Sequence, residues 1–111
     1  MKRLPRTFGC SVELSLELLG GKWKPVILAH LKDGPLRYGE LRRLIPSLSD
    51  KMLSERLADL QAVGLIEPVS EGNGGYRLSA RGESLRPVLQ ALYDWGEAQA
   101  SELQVEIRPP S

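Results

Sequence analysis

The sequence has very little of the residues that disulfide and metal chemistry require. It contains one cysteine, Cys10, and one histidine, His30, in 111 residues. A single cysteine cannot close an intrachain disulfide, and a lone cysteine cannot supply the ligand cluster of a structural zinc site. His30 lies in the apolar run of a predicted helix with no catalytic grouping around it. We therefore expect neither an enzyme nor a bound metal or other cofactor.

Long hydrophobic runs are also missing. No run approaches the roughly 18 apolar residues that span a bilayer, and the start, Met1 to Gly9, lacks the apolar centre of a signal peptide. We expect a cytoplasmic protein without membrane contact. Apolar residues make up 41% of the chain and charged residues 26%, which is ordinary for a folded chain that forms one domain.

The charge is unevenly distributed, although the net charge is only +1. Residues 22–56 contain eight basic and four acidic residues, whereas residues 57–111 contain four basic and eight acidic residues. A basic middle fits a face that binds a polyanion. Solvated helix surfaces explain the same counts equally well, so the charge pattern alone does not decide.

Helix start and stop residues predict four helices in the first half of the chain. The first runs from Ser11 to about Leu19 and ends at two glycines. The second opens at Lys24, with a proline in its first turn, and closes before Gly34. The third carries its apolar residues on one face and ends at Pro46. The fourth has Ser49 as N-cap.

A change of period predicts a β-hairpin after the fourth helix, which stops at Gly64. Residues 65–69 and 76–78 form the strands, joined by the turn cluster 71–75. Pro68 indicates a bulge or an edge position. Ser79 caps a final helix that runs to about Leu103, in which Pro87 predicts a kink or a restart.

The order helix, helix, tight turn, helix, hairpin is typical of a winged helix-turn-helix. The fold class is therefore mainly α with a small β-hairpin, and the helix that begins near Ser49 is the candidate recognition helix for double-stranded DNA. Its exposed polar face supplies candidate base-reading residues: Ser49, Lys51, Ser54 and Arg56. Basic residues around it supply candidate phosphate contacts: Lys22, Lys24, Arg37, Arg42 and Arg43.

The predicted last helix is longer than a domain of this size can shelter. Its apolar stripe is core or a surface for a second copy of the chain, and we expect a homodimer that matches the two-fold symmetry of palindromic DNA sites. The first helix is expected to join this interface. The candidate dimerisation residues are Leu14, Leu18, Leu85, Leu89, Leu92 and Trp95.

Several motifs together resemble the HxlR-type (MarR-like) family of bacterial regulators. They are CSVE at 10–13, LLGGKWK at 18–24, DGPLRYGEL at 33–41, IPSLSDKMLSERL at 45–57, LQAVGLI at 60–66, YRLSARG at 76–82 and LYDWG at 92–96. The resemblance covers about residues 10–97. It implies a homodimeric winged-helix repressor or activator that binds inverted repeats in the nucleoid, with Arg77 and the hairpin as the wing.

The resemblance also implies that Cys10 senses oxidants, quinones or aldehydes, with a small thiol or an electrophile as its partner. From the residues alone two interpretations of Cys10 stay open. The helix dipole and the cations Arg6 and Lys22 favour a reactive thiolate, whereas free cysteines are also common as small buried residues. The turn 71–75 is shorter than the wings of the family and has no Lys or Arg, so we do not expect deep minor-groove insertion.

Two alternative functions remain. One is a regulator gated by a noncovalent ligand in the dimer cleft near Trp23, Tyr93 and Trp95, with Cys10 structural. The other is a winged-helix module that binds protein, which would need an apolar or acidic face in place of the basic one. The expected domain organisation is a basic flexible segment 1–9, the winged helix-turn-helix domain 10–104, and a flexible end 105–111.

Overall fold

The computed structural model describes residues 4–72 and 74–109. Residues 1–3, 73 and 110–111 lie outside the described residues, and with them the beginning of the predicted segment 1–9, one residue of the predicted turn and the end of the predicted segment 105–111. Within the described residues, no helix is both long enough and apolar enough to cross a membrane.

Six helices and one two-stranded sheet make up the described structure. In chain order they are α1 (Ser11–Leu19), α2 (Lys24–Leu31), α3 (Tyr38–Leu44), α4 (Asp50–Ala62), β1 (Ile66–Pro68), β2 (Tyr76–Leu78), α5 (Ala80–Glu83) and α6 (Arg86–Leu103). This order confirms the winged helix-turn-helix architecture that the sequence predicts.

The helix boundaries follow the local signals in the sequence. The Ser49 hydroxyl accepts a hydrogen bond from the Met52 N–H at 3.1 Å, which caps α4 as predicted. Gly64 follows α4 with a φ of 78°, a left-handed conformation that favours glycine and stops the helix. At the start of α2 the proline lies in the first turn, where its missing N–H removes no helical hydrogen bond.

The hairpin is antiparallel and short. Ile66 pairs with Leu78, Glu67 with Arg77, and Pro68 with Tyr76. The first strand is shorter than the predicted segment 65–69. On its other side Tyr76 forms a bridge with Leu36, so β2 has partners on both sides and β1 is an edge. Pro68 therefore takes the edge position that the sequence indicated.

The core collects the apolar faces of α2, α3, α4 and the hairpin around one centre. The buried hydrophobic residues are Ile27, Leu28, Leu31, Leu41, Ile45, Leu48, Leu53, Leu57, Leu60, Leu65, Ile66, Leu78 and Leu89. Three of them lie on α2. Because α4 buries every third or fourth residue, its remaining residues form an exposed face.

The predicted final helix is divided in two. The Ser79 hydroxyl accepts from the Gly82 N–H at 3.1 Å and caps α5, which ends at Glu83. A second helix restarts at Arg86 with Pro87 in its first turn. Of the two outcomes predicted at this proline the restart is confirmed, because a proline costs nothing in a first turn but breaks a helix interior.

The terminal helices α1 and α6 expose much of their apolar surface. No residue of α1 is buried, and α6 buries only Leu89. The radius of gyration is 14.8 Å, against about 13 Å for a compact chain of this length. The accessible surface of 7735 Å² is about a quarter larger than that of an average folded monomer of this size.

Candidate DNA-binding face

Helix α4 is seated on the core by one face and open to solvent on the other. Leu53, Leu57 and Leu60 are buried. Lys51, with 85% of its side chain exposed, and Ser54 lie on the open face. An α-helix with its side chains is about as wide as the major groove, about 12 Å. This face therefore has the shape and the polar groups that base reading requires.

The first turn of α4 is fixed to α3 by a network of side chains. The Tyr38 hydroxyl contacts the Asp50 carboxylate oxygen Oδ1 at 2.9 Å and the Asp50 carbonyl at 3.1 Å. Arg42 Nε lies 2.8 Å from the same carboxylate oxygen. The Ser54 hydroxyl, one turn further along α4, lies 3.5 Å from the Tyr38 hydroxyl. The two helices α3 and α4 are thus joined at the N-terminal end of α4.

Arg42, which the sequence predicts as a phosphate contact, is engaged within the protein. Its guanidinium donates to the Leu48 carbonyl in the turn as well as to Asp50, and the side chain is half-buried. These two contacts occupy two of the five N–H donors of the guanidinium and fix its position between α3, the turn and α4. We therefore assign Arg42 to positioning α4, whereas Arg43 on the same helix is exposed.

Arg56 and Lys22 meet on the side of α4 that faces the turn after α1. Arg56 Nε donates to the Lys22 carbonyl at 3.4 Å, and the Lys22 ammonium lies 4.9 Å from the centre of the Trp23 ring. Trp23 has a φ of 90°, which is rare for a residue other than glycine. Lys24 lies 4.0 Å from the carboxylate of Asp59, which draws its charge toward α4.

The remaining predicted DNA contacts, Arg37 and Arg77, are paired with carboxylates. Arg37 Nε lies 3.2 Å from Glu40, and the Arg37 N–H donates to the same carboxylate at 2.9 Å. These two hydrogen bonds, with the backbone one larger, lower the pKa of Glu40. Arg77 bonds Glu67 across the hairpin at 2.9 Å. In both arginines the positive charge is therefore partly neutralised by an exposed carboxylate of the protein.

Cys10 is the N-cap of α1 and is exposed. Its carbonyl accepts from the Glu13 N–H, and the Glu13 carboxylate in turn accepts from the Gly9 N–H at 2.6 Å. The prediction that the Lys22 cation favours the Cys10 thiolate is wrong, because Cys10 precedes α1 and Lys22 follows its opposite end. The thiol borders an open depression of about 320 Å³ that Phe8 and Leu14 also line. The sulfur is therefore accessible to reagents in this protomer.

The predicted dimerisation residues separate into exposed and buried ones. Leu92 and Trp95 are exposed, Trp95 by 67%. Leu14 is exposed as well, and Leu18 and Leu85 line one apolar pocket of about 100 Å³ between α1 and the start of α6. Leu89 is only 2% exposed. Its side chain packs in the protomer's own core, so we reassign it from the interface to the core.

Sequence reasoning missed Tyr38 and the ionic role of Asp50. Tyr38 shares the helical spacing of the apolar residues of α3, and Asp50 directly follows the N-cap of α4. The sequence therefore assigns neither residue to a binding site. A signal was available, because a tyrosine on a buried stripe usually finds a partner for its hydroxyl. Its partner is the first residue of the next helix, which sequence spacing across the turn at Pro46 does not reveal.

The fold and the open face of α4 define the protein as a winged helix-turn-helix regulator of transcription. Residues 18–104 match the family model for HxlR-like helix-turn-helix proteins. The chain belongs to this family. The HTH-type transcriptional regulator YkvN of Bacillus subtilis is 38% identical over 117 residues, covering 95% of this chain and 96% of that protein.

Solved structures of a redox regulator and of a quinone-bound protein are similar to this chain. The redox regulator HypR in its reduced form has a TM-score of 0.76 at 33% identity, covering 87% of this chain and 100% of that one. HypR in its oxidized form gives 0.72 at 35% identity, with 80% and 96% covered. The quinone-bound YodB from B. subtilis gives 0.68 at 34% identity, with 78% and 96% covered.

Proposed function

We propose that the protein binds an inverted-repeat DNA site as a homodimer, with α4 of each protomer in a major groove. The observation that carries the proposal is the open polar face of α4, held in place by the cap at Ser49 and by the network around Asp50. A helix that reads bases must be rigid, since a loosely held side chain loses entropy on binding. In this proposal residues 10–104 form the DNA-binding domain, and the protein acts on the nucleoid in the cytoplasm.

The exposed cations divide into two groups by their current partners. Lys51 and Arg43 are the readiest contacts, because both are exposed and the single partner of Lys51, the Glu55 carboxylate, lies at the long distance of 3.9 Å. Lys22, Arg37, Arg56 and Arg77 each leave a protein partner when they bind DNA. Exposed ion pairs contribute at most about 1 kcal/mol, so exchange for phosphate is inexpensive. Ser49 adds a hydroxyl at the end of α4.

The dimer is supported by the exposed apolar residues of α1 and α6. Side chains as large as Leu92 and Trp95 are rarely left in solvent as one contiguous stripe, and such a patch marks an interface. Pairing through α6 gives a two-fold axis. The two copies of α4 would then lie about 34 Å apart, one turn of DNA, in the binding state.

The DNA-binding proposal is tested by an electrophoretic shift assay with the intergenic DNA next to the gene. We expect specific binding at nanomolar to submicromolar concentration that weakens steeply between about 50 and 200 mM salt. The salt dependence follows from the release of counterions when Lys and Arg contact phosphates. Binding that does not respond to salt, or that competitor DNA removes equally well, contradicts the proposal.

We further propose that Cys10 makes DNA binding responsive to oxidants or electrophiles. Its exposure and its place at the start of a candidate interface helix support this role, as does the similarity to a redox regulator and to the quinone-bound YodB. With a two-electron oxidant such as diamide, two Cys10 thiols lose two protons and two electrons and form one disulfide. With a quinone, the sulfur bonds to a ring carbon and the proton passes to a quinone oxygen.

Replacement of Cys10 by Ser separates this role from a structural one. We expect the wild-type protein to change its DNA affinity when treated with diamide or a benzoquinone, and C10S to bind DNA equally well before and after treatment. Non-reducing electrophoresis and intact mass report whether a disulfide or an adduct forms. A response that survives in C10S refutes thiol sensing and favours the noncovalent ligand.

A further inference from the structure

Ser54 lies on the open face of α4 next to a hydroxyl whose proton is already engaged. The Tyr38 hydroxyl contacts the Asp50 carboxylate at 2.9 Å and the Asp50 carbonyl at 3.1 Å. Both of these oxygens can only accept, and a tyrosine hydroxyl carries a single proton. The Tyr38 proton therefore points to Asp50, and the Tyr38 oxygen is an acceptor toward its other neighbour.

That other neighbour is the Ser54 hydroxyl, at 3.5 Å. Two hydroxyl oxygens can share a hydrogen bond only if one of them donates. Since Tyr38 has used its proton, Ser54 is the donor. A serine hydroxyl has one proton and two acceptor lone pairs, so the lone pairs of Ser54 are what remain for the solvent side of α4.

Asp50 fixes the direction of this chain of hydrogen bonds. Arg42 Nε donates to the same carboxylate oxygen that Tyr38 contacts, at 2.8 Å, and the Arg42 guanidinium also holds the Leu48 carbonyl. Arg42 therefore keeps the carboxylate turned toward Tyr38. The order of donors runs from Arg42 and Tyr38 to Asp50, and from Ser54 to Tyr38.

We propose that Ser54 offers an acceptor to the major groove and selects the exocyclic amino group of a base, adenine N6 or cytosine N4. Tyr38 is the positioning residue that gives Ser54 this polarity. The sequence predicts Ser54 as a base-reading residue without fixing whether it donates or accepts, and the contact with Tyr38 favours the acceptor. The inference rests on the proposed function, since it needs α4 in the major groove, where amino groups and carbonyls are distinguishable.

The test begins with selection of binding sites by the full-length protein from a randomised duplex library. The same selection with S54A identifies the base pair whose discrimination depends on Ser54. That pair is then altered one atom group at a time in a defined site. One substitute lacks the major-groove amino group (2-aminopurine for adenine, or 2-pyrimidinone for cytosine), and the other lacks purine N7 (a 7-deazapurine).

For the wild type, we expect loss of the amino group to weaken binding about 3- to 10-fold, the range of one hydrogen bond, and loss of N7 to have little effect. S54A is expected to respond to neither change. In Y38F the Ser54 proton is released and can donate, so a pair that presents a carbonyl at that position should bind nearly as well as one that presents the amino group, whereas the wild type should discriminate against the carbonyl. The matched control Y76F removes a phenolic hydroxyl on β2 that has no hydrogen bond within residues 4–72 and 74–109, and it should behave as the wild type.

Two results overturn the inference while the proposed function survives. One is specific binding in which no base pair depends on Ser54. The other is a Ser54-dependent pair that responds to loss of N7 and not to loss of the amino group, or one at which Y38F discriminates between the amino group and a carbonyl as strongly as the wild type does. Affinity for nonspecific DNA and the thermal unfolding of Y38F show that the variant is folded. If the wild type enriches no site at all, the proposed function itself fails.

Discussion

The central unit, residues 24–78, and the terminal helices α1 and α6 differ in how far they bury their apolar residues. Twelve of the thirteen buried hydrophobic residues belong to the central unit, and the other is Leu89 of α6. Yet five of the nine residues of α1 are Val or Leu. The apolar content of a segment therefore predicts that its side chains will be buried, but it does not predict whether they are buried in the protomer's own core or against another molecule.

The largest effect that tests this contrast is a cavity in the central unit. Leu60 is completely buried on α4, and L60A should lower the free energy of unfolding by about 2–5 kcal/mol, since it loses both transfer energy and packing. Urea unfolding at low protein concentration measures it. The matched variant L103A, at the 68% exposed Leu103 of α6, should cost under about 0.5 kcal/mol. Equal losses would abolish the distinction.

The next effect concerns the terminal helices as an interface. W95A removes the most exposed aromatic side chain of α6 and should raise the dissociation constant of the dimer about 30-fold or more, because aromatic residues dominate such contacts. Sedimentation equilibrium measures the change. Q90A, on the same helix, removes a polar side chain that bonds Asp94 and should leave the constant nearly unchanged. A wild type that is monomeric at micromolar concentration refutes the interface.

A third effect compares cations from the two regions. K51A in α4 should weaken DNA binding about 10-fold at moderate salt, as expected for a charge-assisted contact, and lower the salt slope by about one unit if the contact is to phosphate. R86A in α6 removes a side chain that is paired with Glu83. It should leave both quantities unchanged. Equal loss in the two variants would mean that charge alone, and not the face of α4, carries the affinity.

The smallest effect is a pH dependence within the central unit. Burial lowers the pKa of His30 below its ordinary value of 6.5, while Asp33 opposes and Lys32 supports the shift. Between the folded pKa and 6.5 the unfolded chain binds more protons, so the free energy of unfolding falls as the pH drops through this window. Well above pH 6.5, His30 is neutral in both states and its contribution to the free energy of unfolding no longer changes with pH. Urea unfolding from pH 8 to pH 5 should show how the free energy of unfolding depends on pH, and H30Q should reduce this dependence. An unchanged dependence in H30Q would mean that another group causes it.

Local signals in the sequence predicted most of the fold. Caps and breakers act over three or four residues, so Ser49, Gly64 and Pro87 placed helix ends without knowledge of the tertiary structure. The hairpin followed from the change of period. The extent of the last helix was open at Pro87, because the sequence allows either a bend or a restart there, and packing decides which one occurs.

The candidate site was predictable in its location and less so in its contacts. The face of α4 followed from helical periodicity and charge. The engagement of Arg42 with Asp50, of Arg56 with the Lys22 carbonyl and of Tyr38 with Ser54 joins residues from different elements. Such contacts depend on how helices cross, which composition and spacing do not encode. Leu89 likewise follows the stripe of α6, but its burial depends on the tilt of that helix.

The bridge between Leu36 and Tyr76 gives the molecule a mechanical property. Each residue donates its N–H to the other's carbonyl, at 3.0 and 2.8 Å, and a Cβ on Gly75 would meet the Leu36 oxygen at 2.6 Å. The hairpin is thereby hydrogen-bonded to the segment that leads into α3, and α3 is held against α4 by the contacts of Tyr38 and Arg42 with Asp50. In the proposed dimer the hairpin and α4 of each protomer would therefore move as one rigid body, and a signal at the terminal helices would need to change only the angle between two such bodies.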